Sequence, residues 1–258
     1  HLLRISQMKG GKSRLKVDVP TGPLSSGQRR QTSRRVRRML GLNLNLDDFW
    51  ALCRHDPRLR YVPRTGAGRF LSSGNLYEDV LKAICGTNIT WKQAVAAVNR
   101  LASLGSVVEG TGYRAFPTSD AILRMGPRRL SEVSRLGYRV PYLLEWAERV
   151  ASGDPGWAAA EAGKLEAEDL RRFFLSVRGV GKSTCHYLMM MHGFADQIPI
   201  DSSVYLYLRE NRFGGRRPTE KQIRRLYEPF GAWKAYAYWF EFLPWAREHW
   251  SPRGGGAA

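Results

Sequence analysis

The stretch that decides the fold reads LRRFFLSVRGVGKST at residues 170–184 and is followed by IPID at residues 198–201. Residues 170–177 have the apolar spacing of an amphipathic helix that ends near Val177, and a second helix is predicted to begin near Lys182. Gly179 and Gly181 permit a tight reversal and a close approach of main-chain N–H groups to a ligand. The unpaired amides of the second helix form an anion site, to which Lys182 adds a charge. The segment therefore predicts a helical hairpin that binds phosphate groups.

The same glycines allow a competing interpretation as a nucleotide-binding loop. The letters GKS at 181–183 match the end of the pattern G-x-x-x-x-G-K-S, but its first glycine would fall at Ser176. Such a loop also follows a strand, whereas residues 165–177 are predicted to be helical. Contact with a nucleic-acid backbone is therefore favoured, and a purely structural helical turn stays open as an alternative.

The chain carries a large positive charge. Its 258 residues include 41 Lys and Arg against 23 Asp and Glu, which gives a formal net charge of +18. Such an excess favours a polyanionic partner, because neutralised phosphates release condensed counterions. Attraction to an acidic membrane surface would also fit this excess. So would a GC-rich genome, which raises arginine usage without any function. The arginines at residues 29–38 are compatible with either a phosphate-binding strip or a solvated helix face.

Cysteine and histidine usage argues against metal cofactors. Cys53, Cys85 and Cys185 are widely spaced, which indicates buried thiols in a reducing compartment and no iron–sulfur cluster. The five histidines form no paired ligand set, so we expect no zinc. No apolar run is long enough to cross a membrane. No signal-peptide pattern is present, although the chain begins at His1 and a targeting segment could have been removed.

Residues 1–40 are predicted to form a basic β element and a linker. Leu15, Val17 and Val19 alternate with polar residues as in a half-buried strand, and a turn at Gly10-Gly11 would pair it with Leu2–Ser6. Residues 251–258, rich in glycine, are expected to be a disordered tail.

Residues 41–250 are predicted to be helical. Capping patterns start helices after Asn75, Thr90 and Thr219, and Pro141 fits the first turn of another helix. An aromatic helix is predicted from about Trp233 to Leu243. Trp91 and the helically spaced aromatics are expected to belong mainly to the core.

Taken with three further segments, the hairpin and the aspartate resemble the helix-hairpin-helix (HhH-GPD) DNA glycosylase superfamily. Residues 69–73 with Tyr77-Glu78-Asp79 and then 84–88 (ICGTN) look like the segment before the lesion-gap loop, and 136–142 (LGYRVPY) is similar to a stretch of 8-oxoguanine and alkylpurine glycosylases. The resemblance covers about residues 47–250. It implies a mainly α fold of two helical subdomains with a small N-terminal antiparallel β element, without an iron–sulfur cluster. It places a lesion-gap loop at 86–90, the hairpin at 170–193 and the catalytic loop at 197–203.

The resemblance assigns roles to particular residues. Asp201 is implied to be the catalytic carboxylate, although an aspartate before Ser-Ser-Val is also a good helix N-cap. Asn88 is implied to fill the gap left by the flipped base. The residues implied to hold the DNA backbone are Gly179, Val180, Gly181, Lys182, Ser183, Thr184 and Ser203. Trp239, Phe240 and Glu241 are candidates for the base pocket, and the carbonyls of Val177 and Val180 for a hairpin Na⁺ or K⁺.

One departure from the family pattern bears on mechanism. Members that also nick the strand carry a lysine two residues after the last hairpin glycine, where this chain has Ser183. Lys182, one place earlier, points about 100° away on a helix of 3.6 residues per turn. The sequence therefore predicts a monofunctional glycosylase that uses water.

The expected partner is double-stranded DNA that contains a damaged base, bound by a monomer without a membrane. Alkylated purines are ranked first as substrates, because the lysine is missing, and oxidised purines second, because of the ICGTN stretch. A non-enzymatic DNA-binding protein and a bifunctional glycosylase/lyase stay open as alternatives. The expected location is the cytoplasm, at the nucleoid, in a prokaryote, and the nucleus in a eukaryote.

Overall fold

The computed structural model describes residues 2–8 and 14–250, apart from the side chain of Trp250. Strands β1 (Arg4–Met8) and β2 (Arg14–Asp18) pair antiparallel, with Arg4 opposite Asp18 and Met8 opposite Arg14. This confirms the N-terminal β element. The turn proposed at Gly10-Gly11 and the tail at 251–258 lie outside the described residues.

Among the described residues after β2, the regular elements are helical, apart from an isolated antiparallel bridge between Val107 and Arg114. This agrees with the prediction for residues 41–250, but the predicted linker before residue 40 contains the helix Ser26–Met39, which a capping box of Ser25 and Gln28 starts. The helices are α1 (Ser26–Met39), α2 (Asp47–His55), α3 (Tyr61–Thr65), α4 (Leu76–Cys85), α5 (Trp91–Ala102), α6 (Ser119–Ser134), α7 (Val140–Ala151), α8 (Pro155–Glu161), α9 (Ala167–Leu175), α10 (Lys182–Met191), α11 (Ser202–Asn211), α12 (Glu220–Tyr227) and α13 (Lys234–Trp250). Short 3₁₀ segments precede α7 at Gly137–Arg139 and α13 at Glu228–Trp233.

The predicted helix starts are confirmed by their caps. The Asn75 side chain accepts a hydrogen bond from the Glu78 amide, and Thr90 and Thr219 form reciprocal capping boxes with Gln93 and Gln222. Each cap satisfies amides that would otherwise lack a partner in the first turn. Local sequence thus sets where these helices begin.

The buried side chains form two cores, in agreement with two helical subdomains. The first core lies around Trp146, Phe173 and Phe174, between helices α4 to α10. The second core lies around Phe49 and Tyr236, and it packs α2 and α3 against α11 to α13. Helix α10 joins them, because it contributes Cys185, Leu188 and Met189 to the first core and Met190 to the second. The hairpin therefore belongs to one subdomain and Asp201 to the start of a helix in the other.

The ends of two helices differ from the sequence-based expectations. Helix α9 ends at Leu175, two residues before Val177, because the Val177 amide bonds to the Phe174 carbonyl in a tighter turn. Helix α13 continues past Leu243 through Pro244, and the ring of Trp245 beyond the proline packs on Tyr207.

The expectation that Trp91 belongs to the core was wrong. Its side chain is 67% exposed. The buried stripe of α5 consists of Ala94, Ala97 and Leu101, and Trp91 lies one turn before it, beyond the edge of the first core.

Within the described residues, no helix is long and apolar enough to cross a bilayer.

Candidate functional site

The reversal between α9 and α10 depends on one glycine. Gly179 adopts φ +89°, and a Cβ atom there would lie 2.7 Å from the Tyr142 ring. The Val180 amide donates to the Val177 carbonyl at 3.0 Å, which closes the turn. Only glycine therefore combines this backbone with the close contact to α7.

The first amides of helix α10 have no side-chain acceptor. Gly181 is its N-cap residue, and no side chain caps the first turn. Lys182 is exposed, and Ser183 and Thr184 in the same first turn are half-buried. A helix start of this kind favours an anion such as a phosphate group. Ser203, also predicted to bind the backbone, lies instead in the first turn of α11, where it donates to Asp201.

Asp201 holds the start of α11 with one carboxylate oxygen. Its Oδ1 accepts hydrogen bonds from the amides of Ser203 at 2.9 Å and Val204 at 3.1 Å, and from the Ser203 hydroxyl at 2.5 Å. Its Oδ2 accepts one bond, from the Tyr187 hydroxyl of α10, at 3.2 Å. The carboxylate is half-buried, and Oδ2 keeps a lone pair for a further partner.

Tyr187 fixes which side of α10 faces Asp201. Residues four apart lie on the same face of a helix, so Ser183 shares the face of Tyr187. Lys182 instead shares the face of His186, whose buried Nδ1 lies 3.1 Å from the Ile198 carbonyl oxygen. Serine, not lysine, is thus on the side of Asp201.

A row of aromatic rings begins at Tyr187, which bonds the carboxylate. The Tyr187 ring meets Trp239 edge-on at 6.0 Å, and Trp239 meets Phe70 at 5.5 Å. Burial, together with the charge of Asp201, holds the pKa of Tyr187 far above its usual range, so its hydroxyl is a neutral donor. Burial, followed by the charges of Tyr187 and Asp201, raises the pKa of the buried Tyr238.

The three candidates for a base pocket lie in different environments. Trp239 is next to the Asp201 contact, as described. Phe240 is 4% exposed and packs on Phe49 and Phe70 within the second core.

Glu241 lies in a separate polar cluster. Its carboxylate accepts from Arg58 and Arg212, each at 2.9 Å, and from Tyr207 at 3.2 Å. Burial raises its pKa although Arg58 opposes the shift. A surface depression of about 580 Å³ lies at Arg58 and Arg212, and Asp201 does not line it.

Asn88 stands on a surface shared with the hairpin. It is exposed, adopts φ +50°, and donates weakly to the Tyr138 hydroxyl at 3.5 Å. Tyr138 lies edge-on to Tyr142 at 6.1 Å, and Tyr142 packs on Gly179. The loop at residues 86–90, predicted to be the lesion-gap loop, and the hairpin therefore form one continuous surface, called the hairpin face below.

Arg139 holds the loop that carries Asn88. Its guanidinium is buried, and its Nε donates to the Thr87 carbonyl at 3.0 Å and to the Thr87 hydroxyl at 3.1 Å. It also lies over the Tyr138 ring at 4.4 Å. The exposed Asn88 side chain is thus presented by a rigid support.

Comparison with known proteins agrees with this architecture, although no protein-family model matches the chain. A DNA-3-methyladenine glycosylase of Bacillus subtilis is 23% identical over 224 residues, which are 84% of this chain and 73% of that protein. The structure of a 3-methyladenine DNA glycosylase from Archaeoglobus fulgidus superposes with a TM-score of 0.72 at 20% identity, covering 96% of this chain and 87% of that one. The chain has the fold of the helix-hairpin-helix DNA glycosylases.

A second solved structure shares the fold in the presence of DNA. It is the Clostridium acetobutylicum 8-oxoguanine glycosylase/lyase in complex with double-stranded DNA containing cytosine opposite 8-oxoguanine. It superposes with a TM-score of 0.69 at 19% identity, covering 95% of this chain and 82% of that one. The resemblance found in the sequence is therefore confirmed at the level of the glycosylase fold.

Sequence reasoning missed two residues of the site in this glycosylase fold. Tyr187 lies four residues after Ser183, and that helical spacing could have revealed it. Tyr138 lies within the LGYRVPY stretch and is 55% exposed, but only its contact with Asn88 connects it to the predicted lesion-gap loop.

Among the described residues, no group of three or more His, Cys, Asp or Glu side chains could hold a metal ion.

Gly179→Ala should lower the free energy of unfolding by about 1–2 kcal/mol, because a left-handed backbone and the Tyr142 ring both oppose a Cβ atom. Gly181→Ala is the matched control, since its φ is −83° and no atom lies within 4 Å of its added Cβ. Urea denaturation of both variants measures the difference. Equal losses would contradict the role given to Gly179.

Proposed function

We propose that this chain is a monofunctional DNA glycosylase, which removes a damaged base from duplex DNA by hydrolysis in base excision repair. The observation that carries the proposal is the position of Asp201. Its carboxylate lies beside the helix of the hairpin, held by Tyr187, with Oδ2 open to another partner. Such a carboxylate can face the sugar of a nucleotide whose backbone the hairpin holds.

The chemistry follows from charge. As the N-glycosidic bond breaks, its electron pair leaves with the base and positive charge develops on the sugar. A nearby carboxylate stabilises that charge, and water then adds to C1′ and passes a proton to the carboxylate, from which it reaches the released base or the solvent. Oδ1 is occupied by three donors, so Oδ2 is the oxygen assigned to this role.

Binding and base flipping are assigned to the hairpin face. The amides at the start of α10 and the exposed Lys182 would hold the backbone without reading its sequence. Extruding the base costs a few kcal/mol, and Asn88 would occupy the vacated position and bond the orphan base. A Na⁺ or K⁺ at the carbonyls of Val177 and Val180 remains part of the proposal.

The proposed substrate order is alkylated purines first and oxidised purines second. The serine at position 183 and the name of the Bacillus relative, DNA-3-methyladenine glycosylase, support the first. The ICGTN stretch and the Clostridium 8-oxoguanine glycosylase/lyase support the second. Trp239 beside Tyr187 is the candidate wall for a flipped base, because such bases stack on aromatic rings.

Asp201→Asn should lower excision by at least about 10²–10³-fold while DNA binding persists, because the charge disappears but asparagine still caps α11. The measurement is base release from a panel of single-lesion duplexes, with gel-shift binding in parallel. Asp196→Asn is the control, since Asp196 pairs with Arg171 outside the site. Full turnover by Asp201→Asn would refute the catalytic assignment, and DNA binding without any excision by the wild type would favour a non-enzymatic binding protein.

Borohydride should trap no covalent adduct between the wild-type protein and lesion DNA, because Ser183 replaces the lysine on the Asp201 side of α10. Ser183→Lys restores an amine on that face and is expected to yield an adduct, detected as a shifted band on a denaturing gel. A wild-type adduct that disappears in Lys182→Gln would instead establish the bifunctional alternative.

Asn88→Ala should weaken binding to a duplex with an abasic site by about 1–3 kcal/mol, because the orphan base loses its hydrogen-bonding partner. Binding to intact DNA should change little. Fluorescence anisotropy with both duplexes measures this, and Asn99→Ala, an exposed asparagine on α5, is the control. A loss equal on both duplexes would show that Asn88 only contacts the backbone.

A further inference from the structure

Helix α1 presents arginines that have no counter-charge. Its fourteen residues include no acidic side chain, and Val36 marks the buried face. At 100° per residue, Arg30, Arg34 and Arg37 lie within about 60° of one another, on a face turned about 100–160° from Val36. All three are exposed, and within the described part of the chain none of them forms an ion pair. We call these three side chains the α1 arginine stripe.

Helix α1, which carries this stripe, ends beside the start of α4. Arg38 pairs with Glu161 of α8 at 3.2 Å, and Glu161 accepts from the Leu76 amide at the start of α4 at 2.7 Å. The Ser72 amide donates to the Met39 carbonyl at 3.0 Å, which fixes the end of α1 there. Helix α1 is thus anchored where α4 begins.

The hairpin face lies at the other end of α4. Ten residues of helix span about 15 Å, and the loop with Asn88 follows the last of them. Helix α9 likewise follows α8 and ends at the hairpin turn. The anchored end of α1 and the hairpin face therefore lie at opposite ends of α4, about 15 Å of helix apart.

Charge and spacing indicate a nucleic-acid backbone as the ligand of the stripe. From Arg30 to Arg37 the helix rises about 10 Å, and each strand of B-DNA carries a phosphate about every 3.4 Å along its axis. Guanidinium groups bind phosphates in a bidentate manner. Val36 and Met39 are the only apolar residues of α1, so its outward face lacks the apolar side chains with which an amphipathic helix enters a membrane.

We propose that the α1 arginine stripe binds a second DNA duplex while the hairpin face holds the first. This rests on the proposed function only in taking the hairpin face as the first DNA site. Two sites on one molecule permit direct transfer from one duplex to another, without a free protein in between. The strong positive charge of the N-terminal part thereby serves the search along DNA, separately from excision.

The test measures release of the wild-type protein from a short, labelled, undamaged duplex at increasing concentrations of the same duplex without label. Direct transfer makes the release rate rise with competitor. The variant Arg30→Gln/Arg34→Gln/Arg37→Gln should release at a constant rate, equal to the wild-type rate without competitor. Arg216→Gln/Lys221→Gln/Arg225→Gln removes the same charge from exposed side chains near α12 and should behave like the wild type.

Three results would overturn the proposal. The first is a wild-type release rate that does not depend on competitor. The second is an unchanged competitor dependence in the α1 variant, which would leave an acidic protein as the partner. The third is a fall of about 3 in the slope of log affinity against log salt for a single duplex, because α1 would then contact the same duplex as the hairpin. Excision assays on the same proteins separate these results from a failure of the proposed function.

Discussion

The carboxylate of Asp201 connects the two halves of the molecule. Through Oδ1 it caps α11, a helix of the second core, and through Oδ2 it accepts the hydroxyl of Tyr187, on the helix that follows the hairpin. A helix start needs an acceptor for its free amides, so the cap holds the carboxylate in place without any ligand. The distance between hairpin and carboxylate, on which the proposed chemistry depends, is thereby set by the fold.

An ion cluster around the buried carboxylate of Glu241 adjoins the second core and does not include Asp201. Glu241 accepts from Arg58 and Arg212, and Arg58 also binds Asp56, whose pKa is lowered chiefly by that hydrogen bond. Charges removed from water require such pairing, since an unpaired carboxylate would be costly to bury. The cluster accounts for Glu241 as a structural residue, although its sequence position next to Trp239 suggested the base pocket.

Two of the positively charged surfaces of the molecule have different neighbours. On the hairpin face, the exposed Lys182 follows the N-cap of α10, and Asn88 and Tyr138 are exposed as well. On α1, the arginines stand alone on an outward surface anchored at the opposite end of α4. Net charge by itself indicates affinity for polyanions, but only the position of each cation separates a lesion site from a second surface.

The sequence alone determined the local features, because these depend on neighbours along the chain. The glycines of the hairpin, the caps at Thr90 and Thr219 and the N-cap at Asp201 were all readable in advance. The strand β2 was predicted too, but Leu15, expected on its half-buried side, is 40% exposed. Burial in the tertiary structure decided the rest: it left Trp91 exposed at the edge of the first core, turned Glu241 toward Arg58, and brought Tyr187 to Asp201 and Tyr138 to Asn88. These contacts join residues from different helices, and periodicity within one helix carries no information on which neighbour its exposed or buried face will meet.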